Sequence, residues 1–232
     1  MPVNEFNQPI GEALPDYTAG SRPEVTLLQG KFCRLEKLSV AKHGADLYEV
    51  YAAEHSPLQN WTYLSLNPVA NHDELAALLA GYEQSADPYF FAIIDTASNR
   101  AVGSVSLMRI DTANRVIEVG WVVYSDALKR TRIATEAQYL LAKYVFETLK
   151  YRRYEWKCNS LNEPSRKAAL RLGFQFEGIF RQAAVYKGRS RDTAWFSIIC
   201  SEWPQVKARF ERWLADGNFD ENGKQRLSLS EI

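Results

Sequence analysis

Apolar residues recur along the chain with two different periods, and the switches between them mark its elements. Lys31–Leu38 predicts a strand, and Ala41–Glu54 a helix. Asn71 followed three residues later by Glu74 has capping-box spacing, in which two side chains satisfy orphan N–H groups of a first turn. It opens a helix with Leu75, Leu78, Leu79 and Tyr82 on one face, which Asp87-Pro88 ends. Three apolar strand segments follow: Tyr89–Asp95, Val102–Ile110 and Arg115–Tyr124. Their linkers, Ser98-Asn99-Arg100 and Asp111–Asn114, are short enough for an antiparallel meander.

The period then changes. Ala137, Leu140, Leu141, Tyr144, Val145 and Leu149 repeat at helical spacing from about Thr135 to Leu149. Tyr154–Cys158 predicts a further strand. Asn162-Glu163-Pro164 starts another helix, with Asn as N-cap and Pro in a first turn whose N–H groups lack partners anyway. Gly173 stops it at a left-handed position. Phe174–Tyr186 and Asp192–Cys200 pair across Lys187-Gly188-Arg189-Ser190, and a helix over Pro204–Leu214 closes the order. Antiparallel strands come first and crossovers later, which predicts an α+β sheet with helices on both faces.

The ends differ from this middle. Residues 1–30 hold four of the nine prolines and are expected to be an irregular arm; residues 216–232 are a polar tail expected to be loosely held. Residues 31–215 form the domain between them. Hydrophobic residues make up 46% of the 232, enough for a sizeable core without disulfides. The 28 basic residues balance 28 acidic ones, so no global field recruits nucleic acid or an anionic membrane. Cys33, Cys158 and Cys200 show no CxxC pairing and are expected as buried thiols. His43, His55 and His72 lack metal spacing and are expected at the surface or in caps, so no metal is expected. No signal-like opening and no membrane-length apolar run occur, which points to the cytoplasm.

Chemistry concentrates where the strand ending at Tyr124 runs through Ser125–Thr135 into a helix. A helix N-terminus offers free N–H groups and the positive end of its dipole, so it is an anion site. Lys129, Arg130 and Arg132 add charge suited to a pyrophosphate. The rival interpretation is a solvated basic turn. Glu118 is the other conspicuous residue. It shares a strand face with Val116, Gly120 and Val122, opposite an apolar face of Ile117, Val119, Trp121 and Val123. A carboxylate inside a central strand is costly unless paired or functional, so Glu118 is either a catalytic base or a salt-bridged structural group.

The loop with Asn162-Glu163-Pro164-Ser165-Arg166, Leu172-Gly173-Phe174, Phe176-Glu177-Gly178, Arg181, Gly188-Arg189 and Asp192 resembles the GNAT superfamily of N-acetyltransferases. Over about residues 30–200 it is similar to the ribosomal-protein alanine acetyltransferase branch. That family's loop runs Gln/Arg-x-x-Gly-x-Gly/Ala. Lys129 stands in its first slot, Ala134 in its last, and Arg132 in the first Gly slot, where a side chain gives up easy access to positive φ.

The resemblance implies the acyl-CoA N-acyltransferase fold and acetyl-CoA as cosubstrate. It implies that Arg130, Thr131, Arg132, Ile133, Ala134 and Thr135 hold the pyrophosphate, with Lys129 beside them. Trp121, Val122 and Val123, at a splayed strand end, would bind the pantetheine arm as an added strand does. Asn162 and Ser165 would meet that arm from the next helix, although Asn162 is also a plain N-cap. Glu118 would be the base. Many relatives carry Tyr after the Gly-Phe; Gln175 stands here, leaving Ser165, Tyr186 or water to protonate the thiolate. Glu177 and Asp192 either orient the amine or pair with Arg181 or Arg191. Trp61, Tyr63, Tyr89 and Phe90 fall in the acceptor region, most of them as ordinary core.

The implied activity is acetyl transfer to a primary amine, either a protein N-terminus or a small molecule, and a homodimer is compatible with it. A non-catalytic acyl-CoA-binding sensor is the alternative. A nucleic-acid module built on Lys129–Arg132 is disfavoured by the balanced charge.

Overall fold

The strands are β1 (Leu27–Gln29), β2 (Cys33–Lys37), β3 (Tyr89–Asp95), β4 (Ala101–Asp111), β5 (Val116–Tyr124), β6 (Arg153–Asn159), β7 (Gln175–Tyr186) and β8 (Arg189–Ile199). In the computed structural model, which describes residues 1–232, they form one sheet in the order β1-β2-β3-β4-β5-β6-β8-β7. Every neighbouring pair is antiparallel except β5 and β6, which run parallel. The helices are α1 (Val40–Tyr51), α2 (His72–Gln84), α3 (Arg132–Lys143), α4 (Glu163–Arg171) and α5 (Trp203–Leu214).

Two apolar clusters fill the two sides of the sheet. One gathers Phe91, Ile93, Val105, Leu107, Ile117, Val119, Tyr154, Trp156, Phe196 and Ile198 with residues of α3, α4 and α5. The other joins Phe90, Ala92 and Ile94 to Leu47, Tyr51, Leu75 and Leu79 of α1 and α2. The period-2 alternation of β3 thus feeds both layers in turn.

Helix starts follow their caps. Asn71 Oδ1 accepts from Glu74 N at 2.9 Å, and Glu74 Oε2 takes the N–H of Ala70 at 2.8 Å, one residue before the capping-box position. Asn162 Oδ1 accepts from Ser165 N, and Gly173 ends α4 at φ +98°. There any side chain would also press on Val206 of α5. Helix α3 is fixed by a buried carboxylate. Glu136 accepts from Lys31 N, Phe32 N and Cys33 N at 2.7–2.8 Å, tying the helix to the start of β2. The same carboxylate reinforces the effect of burial in pushing the Cys33 thiol up.

Several expectations are corrected. The arm is irregular only to residue 26; β1 then pairs with β2, as Leu27 and Leu28 sit opposite Glu36 and Leu35. The tail is docked rather than loose. Leu229 is buried, Arg209 Nη2 donates to its carbonyl at 2.7 Å, and Asn218 bonds Trp213 O and Leu227 O. Apolar Phe219 and Leu229 anchor an otherwise polar stretch. The predicted helix to Leu149 begins three residues earlier, at Arg132, and its last part is a π turn over Tyr144–Thr148. Cys200 is exposed because it follows β8 at the surface. His43 is buried: Nδ1 accepts the Ser39 N–H and Nε2 faces Glu36 at 3.3 Å. No helix is long and apolar enough to cross a membrane.

Candidate active site

The parallel pair β5–β6 is in register only from Val116↔Arg153 to Val119↔Trp156. Beyond that the strands part, so Gly120–Tyr124 of β5 keep β4 as their one strand neighbour. Helices α3 and α4 follow the C-terminal ends of these two strands, and their N-termini therefore belong to the same end of the sheet. A crevice at the carboxyl ends of parallel strands is the usual place for a ligand in such topologies. Here a cavity of about 420 Å³ opens at the parting. Gly120, Trp121 and Val122 of β5 line it, with Trp156–Asn159 of β6, Asn162 and Ser165.

A bulge shapes the β5 wall. Trp121 has φ +49°, and the β4–β5 register slips between Ser106↔Gly120 and Ser104↔Val123. A bulge re-aims the side chains beyond it. Ile117 and Val119 point into the α3 layer, but Val123 and Trp121 pack in the α1–α2 layer instead. The single apolar face expected from alternation is therefore two half-faces. At Gly120 an added Cβ would press on the flexible Met108 side chain and stand 3.9 Å from Glu118 Oε1.

Glu118 lies in the cavity wall and is buried. Its Oε2 is 2.9 Å from Lys157 Nζ and 3.1 Å from Arg109 Nε. Both cations therefore hold this buried oxygen by charge. Burial raises the Glu118 pKa above its ordinary value, and Lys157, then Arg109, act against that rise. Lys157 is itself buried, 2.6 Å from Glu155 and 3.8 Å above the Trp195 ring. The salt-bridged alternative for Glu118 and its position in a cavity thus hold together.

The loop differs in detail from expectation. Thr131 is the N-cap of α3: its Oγ1 accepts from Ala134 N at 3.2 Å and donates to Leu128 O. With Ala134 taken, the first-turn N–H groups left for an anion are those of Arg132 and Ile133. Thr135 is buried, and its hydroxyl accepts from Arg171 at 3.0 Å, so its side chain faces the core.

The left-handed residue is Arg130, at φ +63°, while Arg132 is helical and loses nothing by not being Gly. The Arg132 guanidinium turns away, stacked between Phe32 and Phe219 at 4.4 and 3.4 Å, with Asp216 at 3.7 Å. Lys129 bonds Asn60 and Asp126, both at 2.6 Å. Of the three cations, Arg130 alone has an uncommitted side chain.

Other candidates separate. Ser165 lines the cavity and accepts from Trp156 Nε1 at 3.0 Å, whereas Tyr186 accepts from Asn159 Nδ2 and lies outside the lining. Tyr63 lines it too and donates to Leu161 O; Trp61 and Phe90 are core, and Tyr89 donates to Val25 O. Glu177 pairs with Arg153, not Arg181 or Arg191, and that partner lowers its pKa. Asp192 accepts the Gln182 N–H at 2.7 Å and secures the bend in β7. Sequence reasoning missed Lys157 and Arg109. The alternation of Glu155, Lys157 and Asn159 with Tyr154, Trp156 and Cys158 was the available signal for the first. No group of three or more metal-binding side chains converges anywhere.

Comparison with known proteins gives a consistent result. Residues 34–175 match the family described as acetyltransferase (GNAT) domain. A crystal structure of a GCN5-related N-acetyltransferase from Brucella melitensis superposes with a TM-score of 0.91 and 47% identity. It covers 94% of this chain and 98% of that one. YdaF of Bacillus subtilis, provisionally named a ribosomal N-acetyltransferase, is 26% identical over 172 residues, 74% of this chain and 93% of YdaF. A third, the microcin C7 self-immunity acetyltransferase MccE in complex with acetyl-CoA and AMP, shares the fold. Its TM-score is 0.64 at 22% identity, over 73% of this chain and 93% of that one.

Proposed function

From the premise that the chain belongs to the GNAT acetyltransferase family, we propose that it carries an acetyl group from acetyl-CoA to a primary amine, with Glu118 as general base. The observation that supports this most is the parting of β5 and β6. It leaves strand backbone unpaired beside the cavity that contains Glu118, at the end of the sheet where α3 and α4 begin.

Acetyl-CoA fits these residues. Its pyrophosphate would meet the N–H groups of Arg132 and Ile133 and the side chain of Arg130. The pantetheine amides would bond the free edge of β5 at Trp121–Val123, and Asn162 and Ser165 would face the arm from α4. Acetyl-CoA supplies an acetyl group activated as a thioester. The chain's own part is to orient the amine and remove its proton. An amine is largely protonated near neutral pH and must lose a proton to become nucleophilic. Burial makes Glu118 more basic than an ordinary carboxylate, while Lys157 and Arg109 keep its ionised form accessible. Oε2 is enclosed between these two cations, so Oε1, on the side of Gly120 in the cavity wall, is the oxygen that would take the proton. Ser165 is one of the hydroxyls in the cavity wall, with Tyr63, Ser65 and Thr193, and would relay a proton toward the leaving sulfur from α4.

Thermal unfolding with acetyl-CoA, and thiol release over an amine panel, test this reading. A ligand bound only by the folded state adds about 2.7 kcal/mol at a hundredfold excess over Kd. An unchanged midpoint at saturating acetyl-CoA removes the proposal, and binding without turnover of any amine turns it into a non-catalytic acyl-CoA sensor.

A further inference from the structure

The cavity wall carries three cations, Arg109, Lys157 and Arg191, against one carboxylate, Glu118. Even when Glu155 behind Lys157 is counted, the balance remains positive. A polycationic acceptor would enter against this charge, whereas an amine that brings its own anion would not.

The cations are not equally free. Lys157 is enclosed by Glu118, Glu155 and Trp195. Arg191 donates through Nε to Thr193 Oγ1 at 3.1 Å. Arg109 touches Glu118 through Nε, but its two Nη groups make no hydrogen bond within the protein, and its side chain is 65% exposed. An arginine with one edge committed presents the other as a two-pronged donor matched to a carboxylate or phosphate.

Its placement is built into the backbone. Arg109 has φ +49°, in the left-handed region that a bulky residue rarely enters. The β4–β5 register breaks between Met108 and Asp111 at this point. Asp87 secures the bend, accepting from Arg109 N at 2.8 Å and from Ile110 N at 3.0 Å. A strained residue held by its surroundings, at the rim of a cavity, is a functional candidate.

We propose that Arg109 is a specificity-determining residue that binds an oxyanion group carried by the acceptor close to its reacting amine. The preferred substrate is then an amine with a neighbouring carboxylate. This rests on the acetyltransferase reading above and deepens it by naming the acceptor class. Two sources share the chemistry: the α-carboxylate of a free amino acid, and an acidic side chain next to a peptide's N-terminus.

The test compares thiol release from acetyl-CoA with Ala-Glu amide, Ala-Gln amide, free alanine, alaninamide and spermidine as acceptors. At low salt, kcat/KM for one acidic member should exceed its neutral partner by about 10- to 100-fold, the size of a charge-assisted hydrogen bond. The pair that shows the ratio identifies the source of the carboxylate, and spermidine should be the poorest acceptor. Arg109→Asn, a residue that tolerates left-handed backbone, should bring the ratio near one through KM, with acetyl-CoA affinity unchanged. Arg109→Lys should retain part of the ratio, as a point charge without the fork, and decides the matter if the Asn variant does not fold.

Wild-type ratios near one, or spermidine as the best acceptor, overturn the inference. So does an equal loss on all acceptors with a displaced pH–rate limb, which would mean that Arg109 acts only through Glu118. If acetyl-CoA binds and no amine turns over, the acetyltransferase reading fails instead. The inference is then read from calorimetric binding of the two peptides, where equal affinities overturn it.

Discussion

One face of the sheet is built in two ways. Under α1 and α2 it presents Phe90, Ala92 and Ile94, dry and close-packed, with Tyr82 stacked on Phe90 at 3.8 Å. Further along, the same face of β5, β6 and β8 presents Glu118, Glu155, Lys157, Asn159, Thr193 and Ser197, all nearly as buried. Strand alternation is the same in both halves; what differs is that the dry half has two helices packed on it. Buried charges cost several kcal/mol unless paired, and a buried pair is often no better for stability than apolar residues of like volume. The charged half is therefore poorly explained by folding alone. It is where the proposed chemistry is placed.

The strongest way to break this contrast is at Glu118. Glu118→Gln keeps shape and loses basicity, so kcat for acetyl transfer should fall by about 10²–10⁴ with acetyl-CoA affinity little changed. In the wild type the rate should rise with pH through an apparent pKa above the ordinary carboxylate value, because burial raises it and only the ionised form accepts a proton. The variant should lose that limb. A folded Gln variant with near-normal kcat would assign proton removal elsewhere.

Lys157 sharpens the contrast from the side of stability. Lys157→Met takes from Glu118 and Glu155 the cation they share, leaving them Arg109 and Arg153, and should cost about 1–3 kcal/mol in chemical unfolding. Adding Glu118→Gln and Glu155→Gln should recover most of that loss while acetyl transfer stays at least as slow as in Glu118→Gln alone. If the triple variant stays as unstable as the single one, the charged cluster is structural after all.

Smaller effects are expected at the loop. Thr131→Ala removes the cap of α3 and should lower stability by about 1 kcal/mol. Arg130→Gly relieves a left-handed side chain, which should raise the melting midpoint by roughly 2–4 °C if about 1 kcal/mol is recovered in a chain of this size. It should also weaken CoA and dephospho-CoA, which share the pyrophosphate, more than pantetheine. Equal weakening of all three ligands would place the Arg130 charge away from the pyrophosphate.

Most of the fold could be read from the chain because periodicity and punctuation agreed. Asn71, Asn162 and Gly173 mark helix ends through local hydrogen bonds or φ, and β3 has the bounds its apolar run implies. Strand β1 has three residues and no alternation to show. The bulges at Arg109, Trp121 and Gln182 carry left-handed residues that are not Gly, so composition gives no hint of them. They are set by tertiary bonds such as Asp87 to Arg109 N and Asp192 to Gln182 N. For the same reason Glu118 was visible as an anomaly in its strand while its partner Arg109 was not. The loop was legible as an anion site but not in its division of labour, since the stacking of Arg132 depends on Phe219, 87 residues away.

That stacking has a consequence for how the chain is made. Domains generally fold as units, and the end of a chain is the last part that synthesis supplies. Sheet and helices through α5 can assemble once residue 214 is available, yet the side chain of Arg132 at the first turn of α3 finds Asp216 and Phe219 only afterwards. The end of the helix proposed to hold the phosphates is thus fastened in part by residues that lie beyond α5 and outside the sheet. A chain stopped at residue 215 should keep its secondary structure and lose affinity for CoA, whereas one stopped at residue 26 of a deletion from the other end, just before β1, should not.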